Sequence, residues 1–483
     1  MTLEEESSIR PSSFSSPRRP WLAALLLIAA TVIRIRAAHN DLWLDEIWSL
    51  LSVRKLASPL HVFTKIHLDN NHYLNSLWLY LFREHDNWSG FRIPSIVLGV
   101  GSVAMSGMIA RRLNVRSAFF AMFLVAFSYV EILYSSEARG FASVVFFSFA
   151  SFYLLDKYLE KESWPTAVAF SISSIFGFAS HLIFLNFFSA AVLWSGWRLV
   201  KSGHGKAHVI KSMLACHAAP TMFFLLLYIL DVRHLRVGGG TPASLPGTFA
   251  QSLGWVFGGP SLAFIALTAV LFSAGLLILW RQHSDLLVFF IGVIFVFPIL
   301  MITLHHSDAI YVRHFIVGSS FLLIIISLVL ARLCERGWPG KALCVLLMIS
   351  YFALNSWHVF TLLKYGRGHY TDAVRFLIQN TKRPEITVGS DHDFRVSLVL
   401  RYYVDQASGD QTFTYYPRSS RPHQGPEWLV YHKESIEDAS SAQAGITDDF
   451  GNNYKLVKTF ATAPLSGLHW FVYRNEDINS TKP

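Results

Sequence analysis

The sequence predicts a polytopic α-helical membrane protein with a small α/β domain after its last apolar span. Three observations carry that expectation. Of the 483 residues, 52% are hydrophobic and only 15% charged, against about 25% charged in soluble domains. The chain holds about eleven apolar runs close to the length that crosses a bilayer. Beyond residue 360 the long apolar runs give way to short helical and strand-like periodicities.

Taken in order, residues 1–20 are polar and read as a disordered cytoplasmic segment. Trp21–Ile33 resembles a signal-peptide core, but no small-residue cleavage site follows it, so it reads as a retained anchor. The expected spans lie at 21–38, 92–110, 117–134, 140–156, 164–180, 182–199, 209–230, 260–280, 285–304, 314–333 and 341–360. A long external loop, 39–90, separates the first two. Its second apolar piece, His72–Phe82, is too short to cross and is read as a helix lying on the surface.

That reading sets the topology. Arg111, Arg112, Arg116, Lys157, Lys161, Arg198, Lys201, Lys206, Lys211, Arg281, Arg332, Arg336 and Lys341 all fall on the side of Arg18 and Arg19. Basic loops of this kind mark the cytoplasmic face. Most of the net charge of +9 therefore belongs to span ends, and no nucleic-acid partner is implied. An odd number of spans places 361–483 outside, where an amphipathic helix is expected at 370–380. Strands are expected at 385–389, 427–431, 454–460 and 468–473. The cysteines, Cys216, Cys334 and Cys344, lie within or beside spans and imply no disulfide framework.

The polar segments then collect on the outer face. The first is Asp41–Leu50, where Asp45 and Glu46 stand between Trp43 and Trp48. Adjacent helical residues point about 100° apart, so one carboxylate would act and the other orient it. An N-cap or interfacial ion pair is the plain alternative. Lys65, Asn71 and His72 follow in the same loop as candidate substrate contacts, and Asp69 or Asn70 is a candidate cap for the surface helix. In SSEARG (135–140), Glu137 and Arg139 sit at a span junction, with Glu131 deeper. Ionisable groups there face a polar cavity or a partner. Arg139 suits bidentate contact with a phosphate, or a simple salt bridge to Glu137. In HHSDAIYVRH (305–314) the spacing of His305, His306, Asp308 and His314 matches no standard zinc or calcium motif. Tyr311 and Arg313 read as phosphate or sugar contacts. Arg34 and Arg36 read as snorkelling side chains. No P-loop or dinucleotide fingerprint is present.

Together, WLDEIWS in the first external loop, SSEARGFA after the third span, and Tyr311, Arg313 and His314 at the start of a late span resemble the GT-C glycosyltransferases that use polyprenyl-phosphate sugars. The likeness is to the bacterial relatives of the protein O-mannosyltransferases, including the lipid A aminoarabinose and galacturonic-acid transferases, and runs over most of 20–360. It implies a GT-C-like transmembrane domain at 21–360 and an extracytoplasmic α/β domain at 361–483. It also implies a polyprenyl-phosphate-linked sugar donor, a lipid, glycan or protein acceptor, and an active site on the outer face of the plasma (inner) membrane. By position, Asp45 matches the catalytic acid and Glu46 its neighbour, while Arg139 and Arg313 fall near the lipid phosphate. Relatives carry His-Pro-Pro or Lys-Pro-Pro where this chain has Asn71-His72-Tyr73, which leaves Lys65 as the replacement for a phosphate-contacting lysine. With arginines stabilising the leaving phosphate, no cofactor or metal is called for. Two other readings give many apolar spans: a transporter or lipid flippase, which calls for repeats and broken helices at mid-membrane, and a non-catalytic scaffold with an external binding domain.

Overall fold

The computed structural model describes residues 20–85, 88–236, 238–240, 242–305, 309–407, 411–434, 440 and 442–476. The N-terminal segment expected to be disordered, and His306 and Asp308, lie outside these residues.

The helices follow the apolar runs. α1 (Pro20–Ala37) is followed by two short helices, α2 (Leu44–Arg54) and α3 (Tyr73–Leu81), and then by α4 (Trp88–Leu113). α3 has 9 residues, too few to cross, as expected for His72–Phe82. The long helices α7 (Phe141–Glu160), α8 (Trp164–Ser180), α9 (Phe184–Lys201) and α10 (Lys206–Leu230) come next. A short α11 (Leu245–Gly254) precedes α12 (Leu262–Gln282). α13 (Leu286–Ile291) and α14 (Phe297–His305) are joined by a π-helical stretch, Gly292–Val296. α15 (Ile316–Glu335) is the most buried span, and α16 (Gly337–Tyr365) runs beside it. Among the described residues, 8 helices are long and apolar enough to cross a membrane. Length and composition thus support eight of the eleven expected crossings. The chain is an integral membrane protein.

The expected span 117–134 is interrupted. α5 (Ser117–Phe127) and α6 (Tyr129–Tyr134) are separated at Ser128, whose backbone is extended (φ −61°, ψ 123°) and whose hydroxyl caps α6. Backbone groups freed inside a membrane must find partners within the protein, and here they do. Arg34 donates to the carbonyls of Val125 and Ala126 at 3.2 Å, Tyr351 donates to Leu124 O at 2.6 Å, and Tyr129 N donates to Asn355 Oδ1 at 2.8 Å. Arg34 is therefore fully buried and does not snorkel, whereas Arg36 is exposed. No proline or glycine marks this break; three long-range polar side chains stabilise it. Glu131, one turn on, accepts from Ser320 of α15.

The basic span ends meet at one end of the bundle. Arg112 and Arg198 share Asp156, Arg198 also reaches Asp285 at 3.4 Å, and Arg116 pairs with Glu335. At the other end sits a six-stranded mixed sheet, ordered β2-β1-β3-β6-β5-β4. Its strands are β1 (Glu385–Ser390), β2 (Thr412–Tyr415), β3 (Trp428–Glu434), β4 (Gly445–Thr447), β5 (Asn453–Phe460) and β6 (Leu468–Asn475). β1 runs parallel to β2 and β3, and the remaining pairs are antiparallel. α17 (Tyr370–Asn380) and α18 (Asp393–Val404) pack with the sheet. This unit is tied to the first external loop: Thr371 donates to Asp41 through its N (2.7 Å) and Oγ1 (3.0 Å), and Tyr403 donates to Leu42 O at 2.8 Å.

Candidate active site

Asp45 and Glu46 both lie in the first turn of α2, where carboxylates complement the helix dipole. Their surroundings differ completely. Glu46 is 1% exposed and receives four hydrogen bonds: Arg92 Nε (2.8 Å) and Ala138 N (2.6 Å) on Oε1, Arg92 Nη2 (2.6 Å) and Trp43 N (3.2 Å) on Oε2. Burial pushes its carboxyl up, but the charge and hydrogen bonds of Arg92, then Arg367 and the Ala138 N–H, hold it below the usual range. Arg92, itself fully buried, also donates to the carbonyls of Ala38, Asn40 and Asp41. Glu46, expected beside Asp45 in the catalytic pair as the orienting carboxylate, closes the loop between α1 and α2 onto α4, with every lone pair engaged.

Asp45 points the other way. Its side chain is 15% exposed, and Oδ2 lies 3.0 Å from Arg139 Nη1 and 4.0 Å from Arg313 Nη1. Among the described residues, Oδ1 accepts no hydrogen bond. Arg139 is held on several sides: Nη2 donates to Asn70 Oδ1 at 2.9 Å, and its guanidinium lies over Phe141 (4.7 Å) and Trp43 (5.5 Å). Asn70 in turn donates to Asp45 O and Ser49 Oγ, so it orients Arg139 and does not cap α3. Asp69 likewise does not cap α3; it accepts from Gly238 N at 3.0 Å.

Arg139 Nη1 is within ion-pair distance of Asp45 yet misaligned for a hydrogen bond, and Nε has no partner either. His72, 3% exposed at the start of α3, accepts Gly140 N–H on Nδ1 at 2.8 Å, which leaves Nε2 as a protonated, unpartnered donor. Its ring meets His181 edge-on at 4.4 Å. Burial first, and then His181, Arg139 and Arg313, hold His72 well below the usual histidine range, so it stays neutral. His181, at the α8–α9 junction, is neutral for the same reasons: burial, then Arg139, His314 and Arg313. The site therefore gathers buried N–H groups that lack acceptors, which is the inventory an anion satisfies.

The turn 135–140 brings these groups together, and it fits because residue 140 is glycine. A Cβ there would stand 1.9 Å from Ser180 O and 2.7 Å from His72 Nδ1. Glu137, fully buried in this turn, pairs with Arg367 (3.1 Å) and accepts Trp43 Nε1 (3.1 Å); Arg139 is 4.0 Å away. The simple Glu137–Arg139 bridge is replaced by one to an arginine 230 residues away. Burial lifts the Glu137 carboxyl above its usual range despite Arg367 and Arg139. Arg367 also donates to Ser136 Oγ (3.0 Å) and Leu133 O.

No family model matches the sequence, and no curated protein matches it. Similarity appears in the fold. Two crystal structures of ArnT, the aminoarabinose transferase of Cupriavidus metallidurans, align along nearly the whole chain. The apo state gives a TM-score of 0.55 at 12% identity, covering 95% of this chain and 98% of that one. The state bound to undecaprenyl phosphate gives 0.52 at 13%, covering 94% and 97%. The chain has the GT-C fold.

Within this fold, two residues expected to contact substrate lie elsewhere. Asn71 spends both ends of its amide inside its own loop, donating to Val62 O and Ile66 O and accepting from Ser76 Oγ. Lys65 is exposed on the turn after the 3-10 helix Pro59–Phe63 and, among the described residues, has no hydrogen bond or ion pair to the Asp45 cluster. Tyr311 and Arg313 stand at the cluster's edge, with the Arg313 guanidinium 4.1 Å over the Tyr311 ring. Sequence reading missed Arg92, Arg367 and His181. Arg92 opens a span, where arginine passes for a topology marker, and Arg367 stands alone between Gly366 and Gly368 after the last one.

Proposed function

We propose that this protein transfers a sugar from a polyprenyl-phosphate donor to an acceptor hydroxyl or amine, with inversion at the anomeric carbon and Asp45 as general base. The observation that carries this reading is the one-sided environment of Asp45. A half-buried carboxylate with a free oxygen stands against Arg139 and Arg313, amid buried N–H donors that have no acceptor. The related fold of a chain crystallised with undecaprenyl phosphate supplies the ligand class.

The chemistry balances without a covalent intermediate. The acceptor oxygen or nitrogen attacks C1 of the sugar, its proton passes to Asp45, and the C1–O bond breaks with its electrons moving onto the phosphate. Arg139, His72 Nε2–H and Arg313 stabilise the phosphate as charge builds on it. His72, being neutral, contributes a hydrogen bond and no charge. The arginines take the part a metal would otherwise play. Glu137 holds Arg367 and Trp43 behind them. In this reading the site faces the extracytoplasmic side of a plasma (inner) membrane, which the gathering of the basic span ends at the opposite end of the bundle supports.

The test is turnover of radiolabelled polyprenyl-phosphate sugars by purified protein in detergent. The expected result is release of free polyprenyl phosphate from one donor of the panel, together with saturable binding of undecaprenyl phosphate. No release and no binding would remove the reading.

A further inference from the structure

We propose that the C-terminal domain supplies the acceptor subsite, and that the acceptor presents a sugar ring there, between Trp48, Phe394 and Tyr311 and the polar row Arg395–His432–Glu434. The inference rests on the reading of Asp45 as the base, because it concerns what reaches that carboxylate from outside the membrane.

The wall begins on α2 itself. Asp45 and Trp48 are half-buried while Leu44, Glu46, Ile47, Ser49 and Leu50 around them are buried. Three residues apart on a helix, they share a face, and Trp48 flanks Asp45 there. Across from Trp48 stands Phe394 of α18, with ring centroids 5.3 Å apart and planes at 77°. Phe394 is 46% exposed, so nearly half of its surface remains available. Next to it, Arg395 Nη1 lies 3.3 Å from Glu434 Oε1 and 3.2 Å from His432 Nε2, and His432 Nδ1 meets Asp391 at 2.9 Å. Tyr311 stands on the Asp45 side of this wall. Its ring lies 4.1 Å beneath the Arg313 guanidinium, which itself stands 4.0 Å from Asp45.

The composition of this wall selects the ligand class. Partly exposed aromatic rings offer flat apolar faces to the C–H groups of a pyranose, and a row of planar, paired polar groups matches its hydroxyls. A lipid tail would find partly exposed charged side chains (Arg395 15%, Glu434 21%) on a domain outside the spans. A peptide held by strand addition would need a free edge, and β3, which carries His432 and Glu434, is paired on both sides by β1 and β6. A sugar recognised by side chains fits both constraints.

The experiment exposes the purified full-length protein in detergent to an array of immobilised oligosaccharides and, in parallel, an array of hydroxyl-bearing peptides. The expected result is binding to a subset of oligosaccharides, weakened about tenfold by Phe394→Ala and also weakened by Arg395→Gln, with the melting temperature of both variants kept. Equal binding by both variants, binding to peptides alone, or no oligosaccharide binding by the wild type would overturn it. Undecaprenyl phosphate binding, measured on the same preparations, separates the two proposals. If the wild type binds no undecaprenyl phosphate while sugars still bind, the transferase reading fails and only a sugar-binding wall without an acceptor role is left; if undecaprenyl phosphate binds and sugars do not, the acceptor proposal alone fails.

Discussion

Glu46 and Asp45 are neighbours in sequence and opposites in environment. The Glu46 side is a closed account: a buried carboxylate with four donors, clamped to an arginine that also ties three loop carbonyls. The Asp45 side is open, with cations at 3.0 and 4.0 Å, a free oxygen, and unmet N–H groups on Arg139 and His72. The comparison teaches that a saturated buried ion pair is architecture, whereas an unsaturated one awaits a ligand. The unsaturated groups hold their positions because the saturated side fixes α2 and the turn 135–140.

Three changes break or sharpen that contrast. The largest effect belongs to Arg92. Arg92→Met leaves Glu46 charged and buried and strips the carbonyls of Ala38, Asn40 and Asp41, so a stability loss of about 3–5 kcal/mol is expected, read as lost folded yield and melting temperature in detergent. On the open side, Arg139→Lys keeps the charge and loses the planar fork. It should lower donor turnover at least about tenfold with only a small change in melting temperature; full turnover would make Arg139 structural. The smallest effect is a slope. His72 is neutral in the fold because its pKa is depressed, so the unfolded chain alone takes a proton as pH falls below about 6.5. Stability should therefore be full above that pH and decline below it, in melts recorded from pH 7.5 to 5. His72→Gln should flatten part of this decline, and His181 should account for some of the remainder.

How much of this was legible in the sequence follows from the range of each interaction. The helix at 370–380 and the strands beginning near 385, 427, 454 and 468 are local periodicities, and the structure shows them within a few residues. Asp45, Arg139 and Arg313 stand out as ionisable groups at span ends, and the fold brings them within 4.0 Å. The partners of Glu46 and Glu137 are a different matter. Arg92 lies 46 residues from Glu46, and Arg367 lies 230 from Glu137. No local pattern joins them. Asn71 and Lys65 misled because their residue types suit phosphate, while loop closure uses one and solvent takes the other. The break at Ser128 was hidden because its stabilising groups, Arg34, Tyr351 and Asn355, sit in other helices.

The central claim is that two adjacent carboxylates have divided chemistry from architecture, and one paired measurement tests it: sugar transfer per folded molecule and melting temperature for Asp45→Asn and Glu46→Gln in the same detergent. Asp45→Asn should lose about 10²–10⁴-fold in turnover and keep its melting temperature. Glu46→Gln should lower the melting temperature, with transfer by the surviving folded protein near wild type. Wild-type turnover in Asp45→Asn, or lost turnover at unchanged stability in Glu46→Gln, would contradict the account.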